Sequence, residues 1–115
     1  MDKIKELAIQ SAKILNNKNG IDIKLLDLKG KLPYTDYLIL ATGVSNRHVL
    51  ALSKYIKDKL SKEKVKLKQT EGNKESGWII VDYFDFIIHI FDKEKREFYN
   101  LDKIYTDAKK IDIDF

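Results

Sequence analysis

The chain has 115 residues, 43% of them apolar and 35% charged, which predicts one soluble folded domain over residues 1–115 and excludes both a disordered chain and a membrane-embedded one. It has no cysteine, so a disulfide framework and a thiolate zinc site are ruled out and a reducing compartment, the cytoplasm, is expected. The net charge is +4, and the excess is concentrated in one segment.

Ile4, Leu7, Ala8, Ser11, Ile14 and Leu15 recur at helical spacing and Gly20 follows, predicting a first helix from about Asp2 to Asn17. Ile21 to Leu28 alternates and then breaks step, which reads as a bulged strand. Tyr37 to Thr42 is a nearly continuous apolar run, as in a central strand covered on both faces. Ser45 is placed to cap a second helix, ending near Lys62, with Val49, Leu52, Ile56 and Leu60 as its buried stripe. Val65 to Thr70 is a weak strand, and the loop Glu71 to Gly77 is rich in turn formers. Trp78 to Tyr83 and Phe86 to Phe91 then form two strong strands joined through Phe84 and Asp85, an antiparallel hairpin. A last helix, about Leu101 to Ala108, is expected to pack Leu101, Ile104 and Tyr105, and Ile111 to Phe115 is a terminal tail. The result is an α/β fold with a mixed sheet of about five strands in the order α-β-β-α-β-β-β-α. An exposed hairpin edge would allow a homodimer.

Seven lysines (Lys54, Lys57, Lys59, Lys62, Lys64, Lys66 and Lys68) stand against Asp58 and Glu63 between Lys54 and Thr70. A solvated helix face accounts for them, and so does a secondary contact with RNA, although that stretch has neither arginine nor the interleaved aromatics usual in RNA-binding segments.

Catalytic arrangements are nearly absent. There is no G-x-S-x-G elbow, no Walker loop and no dinucleotide fingerprint, so no nucleotide, metal or other cofactor is expected and the chain is not read as an enzyme. The turn Thr42–Ser45, followed by Arg47 and His48, is a strand-to-helix connection better explained structurally than as a phosphate site. His48 and His89 are the only histidines and lie in different elements. His89, among isoleucines, is read as a hydrogen-bonded residue in or beside the core. Asp82 and Asp85 flank a turn, serving either local hydrogen bonds or an acidic docking patch. Alternation places Trp78, Ile80 and Asp82 on one strand face and Ile79, Val81 and Tyr83 on the other. A lone tryptophan sharing its face with a carboxylate fits an interface anchor as well as a core residue.

Five blocks, Leu25–Gly30, Thr35–Val49, Glu71–Gly72, Trp78–Phe91 and Arg96–Tyr105, together resemble the RsfS family of ribosomal silencing factors, also called Iojap-like proteins. The resemblance spans nearly the whole chain. It implies a nucleotidyltransferase-like α/β fold without nucleotidyl transfer: Gly43 is followed by Val44 rather than serine, and Val65–Thr70 holds no acid. It further implies binding to ribosomal protein L-fourteen on the large subunit, repression of translation under nutrient limitation by blocking the small subunit, and a docking surface of Trp78, Asp82, Tyr83 and Asp85. Two positions depart from the family pattern. Phe84 replaces a glycine at the hairpin turn, so an altered or protruding turn is expected, and Tyr105 replaces a tryptophan.

Overall fold

In the computed structural model, which describes residues 2–73 and 75–115, the chain opens with α1 (Lys3–Asn17). Asp2 caps it, its side chain accepting the Lys5 amide at 3.1 Å, and Ala8, Ser11, Ala12 and Leu15 are its buried face. The helix stops where Asn19 turns left-handed, at φ 68°. There the Gly20 amide donates to the Leu15 carbonyl at 2.7 Å, an approach that a Cβ at Gly20 would obstruct at 2.8 Å.

Strand β1 (Ile21–Asp27) carries the expected bulge, between Ile21 and Lys24. Every residue of β2 (Tyr37–Gly43) is buried, because β2 runs between β1, antiparallel, and β5, parallel, with helices on both faces. Helix α2 (Asn46–Lys62) begins at Ser45, whose hydroxyl accepts the His48 amide at 3.1 Å. It buries Val49, Leu52, Ser53, Ile56 and Leu60.

After α2 the path departs from expectation. Strand β3 covers only Gln69–Glu71, since Lys64 turns left-handed and the Val65 amide folds back on the Leu60 carbonyl, leaving Val65 to Lys68 outside the ladder. Lys74, in the predicted loop that follows, lies outside the described residues. Strands β4 (Trp78–Asp82) and β5 (Phe86–Asp92) form the antiparallel hairpin. A helix absent from the sequence reading, α3 (Lys93–Tyr99), follows at once, capped by Asp92 accepting the Lys95 amide at 2.7 Å. Asn100, left-handed at φ 47°, joins it to the single turn α4 (Leu101–Ile104). The predicted helix to Ala108 therefore ends at Ile104. Leu101 and Tyr105 pack as expected, whereas Ile104 is 65% exposed.

Residues Lys109–Ile111 form β6, which pairs antiparallel with β1. The sheet thus has six strands among the described residues, in the order β3-β4-β5-β2-β1-β6, one more than expected. Strand β4 lies between β3 and β5, so the hairpin offers no open edge for self-association. The sheet edges are β3 and β6, three residues each, short enough to make edge pairing weak.

Helices α1 and α2 cover one face over the larger apolar cluster. The other face holds Leu26, Leu28, Leu38, Leu40, Ile87 and Phe91, onto which Leu32, Leu101 and Tyr105 pack. An ionic hub fastens this second layer. Arg96, 7% exposed, donates from Nε and Nη2 to the two carboxylate oxygens of Asp102 at 3.2 and 3.0 Å, and from Nη1 to the Asp22 carbonyl and Thr42 Oγ1. Lys24 reaches the same carboxylate at 2.7 Å. Burial works to raise the Asp102 pKa, but Arg96 and Lys24 outweigh it and hold the group at about 2.

Candidate docking face

The second layer thins out over β4, which it meets where Tyr99 of α3 touches Trp78. Register places Trp78 beside Phe91, Ile80 beside His89 and Asp82 beside Ile87, so these six side chains share one face, on which Trp78, Ile80, Asp82 and His89 are half-buried. This is the largely uncovered end of the sheet's second face.

Trp78 is held there by three neighbours. Its ring stacks on Phe91 at 5.1 Å between centroids, inclined by 23°, and meets Tyr99 of α3 at 4.3 Å. Its indole Nε1 donates to His89 Nδ1 at 3.0 Å. Because an indole N–H can only donate, His89 Nδ1 is the acceptor and the ring proton resides on Nε2. Burial depresses the His89 pKa to about 4, with Asp82 opposing part of the shift, so the ring is neutral at physiological pH and the bond persists. The tryptophan is therefore neither a plain core residue nor a loose surface one.

Asp82 and Asp85 divide the two roles that the sequence leaves open. Asp82 Oδ1 accepts the Phe84 amide at 2.8 Å, and its Oδ2 stands 4.0 Å from Lys68 Nζ, so Asp82 shapes the turn and is partly neutralised. The Asp85 side chain is exposed, while its backbone carbonyl accepts the amides of Asp36 and Tyr37 and ties the turn to the start of β2.

Tyr83 does not join the face. Alternation sends its ring to the opposite side, where it is 4% exposed, stacked on Phe86 at 5.2 Å and pushed up to about 12 by burial. Its place in a contacting set is corrected accordingly: it supports the turn from behind. Alternation places Ile80 on the Trp78 face, whereas Tyr99 and Phe98 are not foreseen there. Phe98 is 77% exposed and makes an edge contact with Tyr99, extending the aromatic row outward. Recognising α3 from the Asp92 cap would have placed both aromatics near Trp78.

The turn itself is unusual. Phe84 adopts φ 70° and is 41% exposed, and the Asp85 amide donates to the Tyr83 carbonyl at 2.9 Å, which makes a γ-turn of the positive-φ kind. The ring protrudes, as the missing glycine predicts.

Elsewhere the polar candidates have structural partners. His48 Nδ1 accepts the Val44 amide at 2.9 Å, and its Nε2 lies 3.0 Å from the Lys18 carbonyl. The Thr42–Ser45 turn is tight because a Cβ on Gly43 would meet Val49 Cγ2 at 2.9 Å. Among the described residues no three histidines or carboxylates converge as metal ligands, and no helix is long and apolar enough to cross a membrane.

The chain as a whole is similar to known proteins. The family model described as ribosomal silencing factor during starvation, RsfS, matches residues 1–115. The ribosomal silencing factor RsfS of Bacillus subtilis is 35% identical over 105 residues, covering 91% of this chain and 89% of that protein. A mouse protein named for mitochondrial assembly of the ribosomal large subunit is 30% identical over 96 residues, 81% of this chain and 42% of its own length. A crystal structure of a Chromobacterium violaceum protein superposes with a TM-score of 0.86 at 29% identity, covering 99% of this chain and 94% of that one.

Proposed function

This chain belongs to the RsfS family of ribosomal silencing factors, and on that premise we propose that it represses translation by seating itself on the large ribosomal subunit and obstructing the small one. The seat is ribosomal protein L-fourteen, and the trigger is nutrient limitation in the cytoplasm. Two family descriptions support the reading: silencing during starvation, and the mouse relative's name, which specifies large-subunit assembly. Inhibition by occupancy needs no catalytic group, nucleotide, metal or cofactor.

The observation that carries the docking face is Trp78, half-buried at the thinly covered end of the sheet's second face and oriented by His89, Phe91 and Tyr99. An aromatic whose rotamer is already set loses little entropy on binding, which favours it as an anchor. Ile80 widens the apolar centre. Asp85, exposed at the rim, and Asp82 meet basic side chains of the partner, and Tyr83 keeps the turn rigid beneath them.

The test is co-sedimentation with purified large subunits. Trp78→Ala is expected to weaken association by about 2 kcal/mol, roughly thirtyfold. Asp85→Lys, which changes an exposed side chain and keeps the backbone bonds of the turn, should also weaken it. Wild-type recovery of both variants would remove this face from the interaction.

A further inference from the structure

The lysine run, whose one aromatic in sequence is Tyr55 near its start, meets a second aromatic in the fold. The Gln69↔Asp82 pairing and the Lys68 amide bond to the Asp82 carbonyl draw the segment before β3 against the β4–β5 turn. There the ammonium groups of Lys66 and Lys68 stand 5.9 and 5.8 Å from the centroid of the Phe84 ring. Those distances lie near the outer limit of a cation–π contact, so an incoming partner can displace them readily.

The charges around the ring are unequal. Lys68 shares Asp82 at 4.0 Å, and Asp85 is exposed on the same turn, whereas Lys66 has no carboxylate within salt-bridge distance among the described residues. In the chain Lys57, Lys59, Lys62 and Lys64 precede them, opposed by Asp58 and Glu63. The ion pair of Lys62 with Asp58 at 3.4 Å has both side chains 72% exposed and neutralises little. An exposed phenylalanine in left-handed backbone adds nothing to the core, so folding does not explain it.

We propose that Phe84, Lys66 and Lys68 form a contact for single-stranded RNA, with an unpaired base stacked on the Phe84 ring and its flanking phosphates on the two ammonium groups. A protruding aromatic bordered by cations is the combination that binds unpaired strands irrespective of sequence, since every base offers a π-face. A duplex hides those faces. An acidic peptide would use the lysines but gain little from a planar ring. The contact goes beyond the docking reading and does not use Trp78.

Fluorescence anisotropy with a labelled oligouridine of about ten nucleotides tests the proposal across a range of salt concentrations. The wild type should bind with affinity that falls as salt rises, and Lys66→Ala with Lys68→Ala should reduce the slope of log affinity against log salt by about 1.4, roughly 0.7 per phosphate contact. Phe84→Leu should weaken binding by about tenfold with the slope unchanged. Phe84→Gly, which suits the left-handed backbone, should weaken it at least as much, and misfolding does not account for that loss. Trp78→Ala should bind the oligonucleotide like the wild type, which separates this contact from the docking face. Undetectable binding at low salt, or full binding by Phe84→Leu, would overturn the proposal. So would polyglutamate binding of equal strength lost in the same variants, which would assign the turn to an acidic protein instead.

Discussion

The burial of His89, whose ring accepts the Trp78 indole N–H, makes stability depend on pH in a specific window. Unfolded histidine titrates near 6.5, whereas burial holds folded His89 near 4. Between those values the unfolded chain binds the extra proton, so the His89 contribution is complete above about pH 6.5, drains as the pH falls, and is exhausted below about pH 4. A shift of that size corresponds to roughly 3 kcal/mol. The perturbation that isolates it is His89→Asn, whose amide oxygen can stand where Nδ1 stood and still accept the indole N–H without titrating. Urea unfolding at a series of pH values should show the wild type losing about 3 kcal/mol more than His89→Asn between pH 7 and 4. An NMR titration of the His89 ring should give a midpoint well below 6.5, rising in Trp78→Phe, where no donor remains to favour the neutral ring. Parallel pH curves for the wild type and His89→Asn, or a His89 midpoint at the ordinary value, would refute the reasoning.

Asp102→Ala strips the carboxylate from Arg96 while leaving the guanidinium its bonds to the Asp22 carbonyl and Thr42. A loss of about 2–3 kcal/mol is expected by urea denaturation, below the full cost of orphaning a buried charge because Asp102 is itself partly exposed. Phe84→Gly removes left-handed strain of about 1–2 kcal/mol and returns part of it through the freer unfolded chain, leaving a net gain of about 0.5 kcal/mol seen as a higher urea midpoint at unchanged slope. A lower midpoint would mean that the ring supports the fold after all.

Much of this architecture is legible in local chemistry. The run Tyr37–Thr42 announces a strand covered on both faces because each of its side chains must be buried. Ser45 and the stripe Val49, Leu52, Ile56 and Leu60 define α2 by its cap and its period. What local pattern does not carry is what distant pairing decides. Lys109–Ile111 is too short and too basic to read as a strand, and becomes β6 only because β1 has a free side. The charged run Lys93–Tyr99 has little apolar period, and becomes a helix through the Asp92 cap and the burial of Arg96. At the docking face, alternation correctly separates Trp78 and Asp82 from Tyr83, while the family resemblance groups all three. Only the buried Tyr83 ring shows that the alternation decides. The approach of Lys66 and Lys68 to Phe84 depends on β3 joining β4, which no spacing in the chain encodes.

Steric exclusion is tested most directly by mixing separated ribosomal subunits with this chain at concentrations that saturate the large subunit, and resolving the products on a sucrose gradient. Free subunits should persist in proportion to occupancy, and Trp78→Ala at the same concentration should let them join. Complete joining while the large subunit is fully occupied by the wild-type chain would contradict the account.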